Sequence, residues 1–280
     1  MSSPPDPAKL VVVRPFPWRR LAESAIVLIV LGFVLYRIIT SGVVNSSVIA
    51  RYIFSPTIMA AVWNTLWLAT LGTVIALVLG IVVALMRVSQ NRVLSWVATG
   101  YIFFFRGTPM LIQLLFWFNA MPVIMRRITI EIPLINYTLL DVPTISVITP
   151  FVAALVGLSL AETGYMAEVV RSGMLGVDKG QRDAARALGV PDNKIMWRIV
   201  IPQGLRIVMP SIGNQYIMML KNTSLAMVIG YAELLRRTSD IYSVNFRVME
   251  LLTVATFWYL LLTTLVSILQ QLLEKWFPAR

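Results

Sequence analysis

Residues 177–203 read VDKGQRDAARALGVPDNKIMWRIVIPQ, and this polar stretch is the starting point for interpreting the whole chain. Asp178 is a favoured N-cap residue, and Gln181 follows at the spacing of a capping box. Gly189 suits the left-handed end of that helix, and Pro191 stands where a helix cannot continue. The pattern predicts a short helix that ends in a tight turn.

A second helix is expected next, with Asp192 as its cap and with its end at Ile201, before Pro202. Alanines keep the first helix thin, as a helix held in the groove of a partner would be: Ala184, Ala185 and Ala187. The basic residues of the stretch also suit an amphipathic helix on a membrane surface. Spacing alone leaves both interpretations open.

The rest of the chain is too apolar for a soluble protein. Of its 280 residues, 58% are hydrophobic and 13% are charged, whereas a soluble surface needs more polar residues. Several apolar runs are about 20 residues long, which is enough to cross a bilayer as a helix. The predicted fold class is an all-α polytopic membrane protein with about six transmembrane helices, near 22–42, 62–86, 95–121, 145–168, 205–230 and 251–273.

The net charge of +11 follows from membrane topology, without any nucleic-acid partner. With the N-terminus inside, the tail, the turn after Arg87, the loop 169–204 and the C-terminus are cytoplasmic, and they hold about twice as many basic residues as the external segments. Residues 1–20 are expected to be a disordered cytoplasmic tail. Residues 21–57 are expected to form an uncleaved N-terminal transmembrane helix and an external loop.

Several kinds of chemistry are excluded by composition. The chain has no cysteine and no histidine, so it lacks disulfides, thiol chemistry and the commonest metal ligand and general base. It has no GxxxxGK[ST] phosphate loop, so it is not expected to hydrolyse ATP. Small residues recur every fourth position in the second predicted span, where they favour close helix packing within the subunit: Gly72, Ala76, Gly80 and Ala84.

The polar stretch resembles the EAA loop of ABC importer permeases, which docks on the ATPase subunit. The likeness rests on Asp183-Ala184-Ala185, then Gly189, Ile199 and Pro202. Asp183 replaces the usual Glu, and Ile201 the usual Leu. The resemblance implies that ATPase coupling depends on Asp178, Gln181, Asp183, Ala184, Ala185, Gly189, Ile199 and Pro202.

Other segments are similar to the polar amino-acid permeases of the histidine/glutamine/arginine type: FRGTP at 105–109 with Gln113, LKNTSL at 220–225, and AEVVR at 167–171. The likeness covers about 58–275, which implies a permease core domain there, and leaves 122–143 longer than usual.

This resemblance implies the membrane domain of a type I ABC importer in a prokaryotic plasma membrane. A second permease, identical or paralogous, an extracytoplasmic amino-acid-binding protein and an ATPase dimer are the expected partners. No cofactor is expected on this chain, since ATP and Mg would be held by the ATPase. An ion-gradient-driven secondary transporter, which usually has more spans and internal repeats, and a membrane scaffold without a substrate path are the alternatives.

Charges inside predicted spans suggest a substrate path, because a charge at membrane depth normally faces a water-filled route or a partner. Arg106 or Lys221 has the donors for a carboxylate, and Glu162 can accept from an ammonium group. Pairing of these charges with one another is the alternative. The predicted path residues are Arg106, Thr108, Gln113, Glu162, Lys221, Asn222, Thr223 and Ser224.

Overall fold

The computed structural model describes residues 18–40, 42, 45–132 and 137–276, and most of them are helical. The elements in chain order are α1 (Trp18–Thr40), α2 (Ser46–Ile53), α3 (Pro56–Arg87), α4 (Arg92–Gly107), α5 (Met110–Leu115), α6 (Met121–Ile124), β1 (Arg127–Ile132), β2 (Tyr137–Pro143), α7 (Thr144–Val147), α8 (Pro150–Gly176), α9 (Lys179–Ala187), α10 (Asp192–Ile195), α11 (Ile201–Asn222), α12 (Leu234–Asn245) and α13 (Val248–Trp276). π-helical segments at Phe116–Ala120 and Met196–Val200 join α5 to α6 and α10 to α11, and a 3-10 helix, Thr223–Ile229, follows α11. The predicted all-α class is confirmed.

The chain divides into two structural units, residues 1–46 and 47–280. The first contains α1. The tail predicted for 1–20 lies outside the described residues, except for 18–20, which begin α1. Within the second unit, the aliphatic and aromatic residues of α2 pack with α13, so residues 47–57 belong structurally with the helices that follow them.

Three helices, α3, α8 and α13, are each long and apolar enough to cross a membrane alone. They contain most of the predicted spans 62–86, 145–168 and 251–273. Because α8 continues to Gly176, the first two turns of the predicted loop 169–204 are the end of a span helix.

The third predicted span, 95–121, is not continuous. Its two halves, Arg92–Gly107 and Met110–Ile124, meet at an angle of 102°. Pro109 has no N–H and disfavours a helical residue before it, and Thr108 is accordingly extended, at φ −104° and ψ 141°. Arg106 therefore lies in the last turn of α4, not midway along a straight span.

The fifth predicted span, 205–230, is also interrupted. α11 ends at Asn222, which places Lys221 in its last turn and not at mid-span. The hydroxyls of Thr223 and Ser224 donate to carbonyls three residues back, both at 2.7 Å, and such bonds compete with the helical ladder. The chain then turns at Gly230, whose φ is +84°, and returns as α12.

The small residues of α3 pack against α8, as predicted. Gly72, Ala76, Gly80 and Ala84 are all buried. A Cβ on Gly80 would lie 2.8 Å from Cβ of Met166, and a Cβ on Gly72 would lie 3.6 Å from Oγ of Ser159. Because Gly72 and Gly80 have no side chain, α3 and α8 can approach each other closely at these two positions.

A β-hairpin of two paired strands occupies most of the described part of the segment 122–143, which looked unusually long. β1 and β2 are antiparallel, with Arg127 opposite Pro143 at the base. The Arg127 guanidinium lies 2.7 Å from Asp141 and holds the pKa of that carboxyl below its usual range. The sequence prediction missed this hairpin, although the alternation in RITIEI at 127–132 is typical of a strand.

Candidate functional site

The coupling segment, which we define as residues 178–202, begins with the predicted cap. Oδ1 of Asp178 accepts from the N–H of Gln181 at 3.2 Å and starts α9. The reciprocal half of the predicted capping box is absent among the described contacts, because Oε1 of Gln181 accepts from Nε2 of Gln203 at 2.7 Å. That bond ties the start of α9 to the start of α11.

The C-terminal end of α9 is a Schellman motif, in which two N–H groups beyond the helix donate back into it. Val190 N–H donates to the Ala185 carbonyl at 3.0 Å, and Gly189 N–H donates to the Arg186 carbonyl at 2.9 Å. Gly189 has a φ of +73°, which confirms the predicted left-handed turn. Nothing within 4 Å would touch a Cβ there, so only the backbone conformation requires glycine.

The second helix differs from the prediction at both ends. Pro191, and not Asp192, occupies the N-cap position, and the Asp192 carboxylate accepts from Nε of Arg186 at 2.8 Å instead. The helix does not end at Ile201 but continues through the π-helical segment into α11. Pro202 is in the first turn of α11, where a missing N–H is tolerated.

α9 has one face packed on the subunit and one exposed face. Ala185, which is 7% exposed, packs with residues that include Val177, Ile195 and Val200. Leu188 is 83% exposed at the tip of the turn. Of the predicted coupling residues within α9, Asp183 and Ala184 are exposed, as is the neighbouring Ala187.

α8 and α11 cross closely next to the coupling segment. A Cβ on Gly173 would lie 2.2 Å from Cγ1 of Val208, and a Cβ on Gly204 would lie 3.2 Å from the Gly173 carbonyl oxygen. The two helices therefore meet backbone to backbone, and α9 lies between them in the chain, next to this close crossing.

A first cleft, of about 430 Å³, opens between α3, α4 and α8. Arg106 contributes one of its two guanidinium groups, with the guanidinium carbon 5.2 Å from the centre of the Tyr165 ring. The lining residues are Arg87, Thr99, Ile102, Phe103, Arg106, Gly107, Tyr165 and Glu168. Guanidinium, hydroxyl and carboxylate groups face one cavity, an arrangement that suits a small zwitterion.

Glu168 is paired within its own helix, with one oxygen 2.7 Å from the Arg171 guanidinium. Arg171 lies outside the predicted span, so this pair is not the pairing between span charges that the sequence left as the alternative. Sequence reasoning omitted Glu168, Tyr165 and Arg87 from the path. The spacing of Tyr165 and Glu168, which places them on one helix face, was the available signal.

Thr108 and Gln113 meet across the bend that follows α4. Nε2 of Gln113 donates to the carbonyls of Phe105 and Thr108, both at 3.0 Å, and lies 2.7 Å from the Thr108 hydroxyl. Gln113 is 5% exposed. These two predicted path residues brace the broken span.

Glu162 is buried between the span helices, with 1% of its surface exposed. Its Oε1 and the Oγ of Ser159, one turn earlier on α8, have no hydrogen-bond partner among the described residues. Glu162 is not among the described residues that line the first cleft, nor among those that line the second cleft described next. The structure therefore does not bring Glu162 together with Arg106 or Lys221 in one cavity.

A second cleft, of about 280 Å³, contains Lys221 and Ser224 beside α12 and α13. Tyr259 lines it and donates to the buried carboxylate of Glu233 at 2.7 Å. Glu233 also caps α12 by accepting from the N–H groups of Leu235 and Arg236. Of the other predicted path residues here, Asn222 is half-buried and Thr223 is fully buried.

Residues 76–277 match the family of binding-protein-dependent transport system inner membrane components. The arginine transport system permease protein ArgU of Corynebacterium glutamicum is 35% identical over 259 residues, covering 92% of this chain and 80% of that protein. The glutamine transport system permease protein GlnP of Escherichia coli is 31% identical over 220 residues, covering 79% of this chain and 92% of that protein.

Solved structures agree in fold. A crystal structure of an amino acid ABC transporter with histidines has a TM-score of 0.68 and 32% identity, covering 79% of this chain and 94% of the solved chain. An inward-facing structure of the MetNI methionine ABC transporter has a TM-score of 0.61 and 18% identity, covering 78% of this chain and 95% of that chain. The second likeness bears on the fold alone.

Proposed function

The chain belongs to the family of inner-membrane components of binding-protein-dependent transport systems, and from this membership we propose a role for each part of its site. It is the permease subunit of an ATP-driven ABC importer for polar amino acids. The alternatives, a secondary transporter and a membrane scaffold, are not favoured by these relatives.

The coupling segment is the docking site of a separate ATPase dimer, on which ATP and Mg are bound. The observation that carries this assignment is the exposed face of α9, which ends at Leu188 in a turn fixed by Gly189. The other face of α9 packs on the ends of the span helices. When the ATPase dimer closes, this packing passes the displacement to α8 and α11, and the cavity changes the side to which it opens.

The orientation follows from the docking site. If α9 faces the cytoplasm, both chain termini are cytoplasmic. The hairpin of β1 and β2 and the junction between α12 and α13 then both face outside, towards an amino-acid-binding protein. A second permease, identical or paralogous, completes the transporter.

The substrate path passes the first cleft. Arg106 has donors for the α-carboxylate of an amino acid, and Glu168 has acceptors for its ammonium group. Lys221, Asn222, Thr223 and Ser224 would line a later part of the path, and Glu162 would contact the ammonium group if α3 and α8 separate during the cycle.

Reconstitution with the ATPase and the binding protein tests the coupling assignment. Leu188→Ser should abolish copurification of the ATPase and uptake, because it removes the apolar tip of the docking face. The matched control is Leu175→Ser, at an exposed leucine in the last turn of α8, which should retain both. Normal copurification and uptake in Leu188→Ser would disprove docking at this face.

A further inference from the structure

Phe246 has an unusual backbone conformation. Among the described residues, it is the one non-glycine residue with a positive φ, at φ 60° and ψ 17°. A Cβ is penalised in this left-handed region, so glycine or asparagine is the usual residue there. A bulky side chain kept at a strained position is a reason to look for a function.

The described part of the chain covers little of the Phe246 side chain. Phe246 is 83% exposed, and Val244, two residues earlier, is 79% exposed. We call these two residues the apolar tip. One of these apolar side chains is in the last turn of α12 and the other is at its C-cap, and the described part of the chain leaves most of both uncovered. Such exposure indicates a contact surface for another molecule.

The turn that carries the apolar tip is braced. The Phe246 N–H donates to the Tyr242 carbonyl at 2.8 Å, and the Arg247 N–H donates to Oδ1 of Asn245 at 2.9 Å. Nδ2 of Asn245 lies 3.4 Å from the Tyr52 hydroxyl of α2. Because these bonds fix the turn, little conformational entropy is lost when a partner covers it.

Within the second unit, the apolar tip lies on the side of the helical bundle away from the coupling segment. Nε2 of Gln270, late in α13, donates to the carbonyl of Pro210, near the middle of α11. Early in α13, Leu252 and Thr256 line one cleft with Lys221, in the last turn of α11, so the two helices are antiparallel. About 33 Å of helix, at 1.5 Å per residue, separate Gln270 from Val248 at the start of α13. The tip immediately precedes Val248, so it faces the side from which a binding protein would deliver substrate.

We propose that Phe246 and Val244 form a docking contact for the extracytoplasmic binding protein. This inference rests on the proposed function, because it takes α9 as cytoplasmic. A soluble partner fits better than lipid, because Phe246 is next to the exposed Arg247 on a polar turn. Aromatic side chains and arginine are the residues that protein interfaces enrich.

The test uses the full permease with its ATPase in proteoliposomes, to which purified binding protein, loaded from a mixture of amino acids, is added. Phe246→Gly removes the ring and relieves the backbone, so it should fold at least as well as the wild type. We expect the concentration of binding protein that gives half-maximal stimulation of ATP hydrolysis to rise tenfold or more, which corresponds to about 1.4 kcal/mol. ATP hydrolysis without binding protein should be unchanged.

Val244→Ser should act in the same direction, and Leu269→Ala, at an exposed residue late in α13, is the control that should have no effect. Unchanged stimulation in a Phe246→Gly, Val244→Ser double variant would overturn the docking contact and leave the proposed function intact. Loss of the permease dimer in that variant would also overturn the docking contact, by assigning the apolar tip to a second permease. A lower yield of the variant in the membrane would overturn it by assigning the tip to lipid. A wild-type complex that no binding protein stimulates would overturn the proposed function as well.

Discussion

The guanidinium carbon of Arg106 lies 5.2 Å from the centre of the Tyr165 ring, so a cation in the last turn of α4 lies against an aromatic ring of α8. Pro109 ends the regular helix just beyond Arg106 and thereby leaves that side chain at the edge of a cavity, not inside a straight span. A helix break and a cation–π contact together produce the polar end of the first cleft.

The first prediction concerns this cation. Arg106→Gln should lower amino-acid uptake by roughly 10–150-fold, the equivalent of a charge-assisted hydrogen bond of about 1.5–3 kcal/mol. Arg106→Lys, which keeps the charge, should retain more uptake than Arg106→Gln. Uptake in proteoliposomes is the measurement, with the melting temperature recorded on the same sample. Equal losses in both variants together with a lower melting temperature would mean that Arg106 only supports the fold.

The second prediction concerns Glu162. Since its Oε1 has no hydrogen-bond partner among the described residues, Glu162→Gln should not lower the melting temperature. If the carboxylate contacts the substrate ammonium group during the cycle, uptake should fall by roughly 10–150-fold. ATP hydrolysis stimulated by the binding protein should partly survive, because the coupling segment is untouched. Unchanged uptake with a lowered melting temperature would instead assign Glu162 a structural role.

The third prediction compares two helical glycines. Gly80→Ala should destabilise the fold by about 1–3 kcal/mol through overpacking, because its Cβ would lie 2.8 Å from Cβ of Met166 and 3.1 Å from the backbone nitrogen of Ala167. Gly100→Ala adds a Cβ with nothing within 4 Å and should stabilise α4 by about 0.5–1 kcal/mol. Thermal unfolding in detergent measures both. Equal effects of the two substitutions would contradict the close approach of α3 and α8.

The fourth prediction tests the turn of the coupling segment. Gly189→Val should abolish ATPase copurification and uptake while the membrane fold is kept, because a β-branched residue is strained at φ +73°. Gly189→Asn is the control, since asparagine tolerates the left-handed region, and it should keep most activity. Copurification and transport at wild-type levels in Gly189→Val would show that this turn is not needed for coupling.

The fifth prediction fixes the orientation. The chain has no cysteine, so single cysteines report cleanly on their side of the membrane. Cysteines at Ser46 and Asn136 should react with an impermeant thiol reagent in intact cells, whereas a cysteine at Gln181 should react only after the membrane is opened. Asn136 is outside the described residues and is placed by sequence alone. The reverse labelling pattern would overturn the charge-based topology.

The sequence predicted those features that depend on neighbouring residues. Asp178 and Gly189 bound α9 as expected, because caps and left-handed turns are set by local backbone chemistry. The spacing of the small residues in α3 also predicted a packing face, since helical periodicity alone places them together.

Features that depend on distant contacts were not predictable in the same way. The Gln181 side chain accepts a hydrogen bond from Gln203, which is 22 residues away in the sequence. The fold brings these two residues together, and local sequence cannot predict this. The first cleft joins residues of three helices, and its lining on α4 ends at Gly107, where the 102° bend begins. A proline such as Pro109 signals a helix break by its chemistry, but the sequence gave neither the angle of the bend nor the neighbours of Arg106.

The hairpin of β1 and β2 bears on how such a permease can change in length over evolution. Arg127 pairs with Pro143, and the Thr144 N–H donates to the Arg126 carbonyl at 3.1 Å, so the chain leaves and rejoins the helical bundle at adjacent points. Residues inserted or deleted beyond this closed base would not shift the helices on either side. The surface that carries the hairpin is therefore free to acquire or lose a module of its own while the helices stay in register.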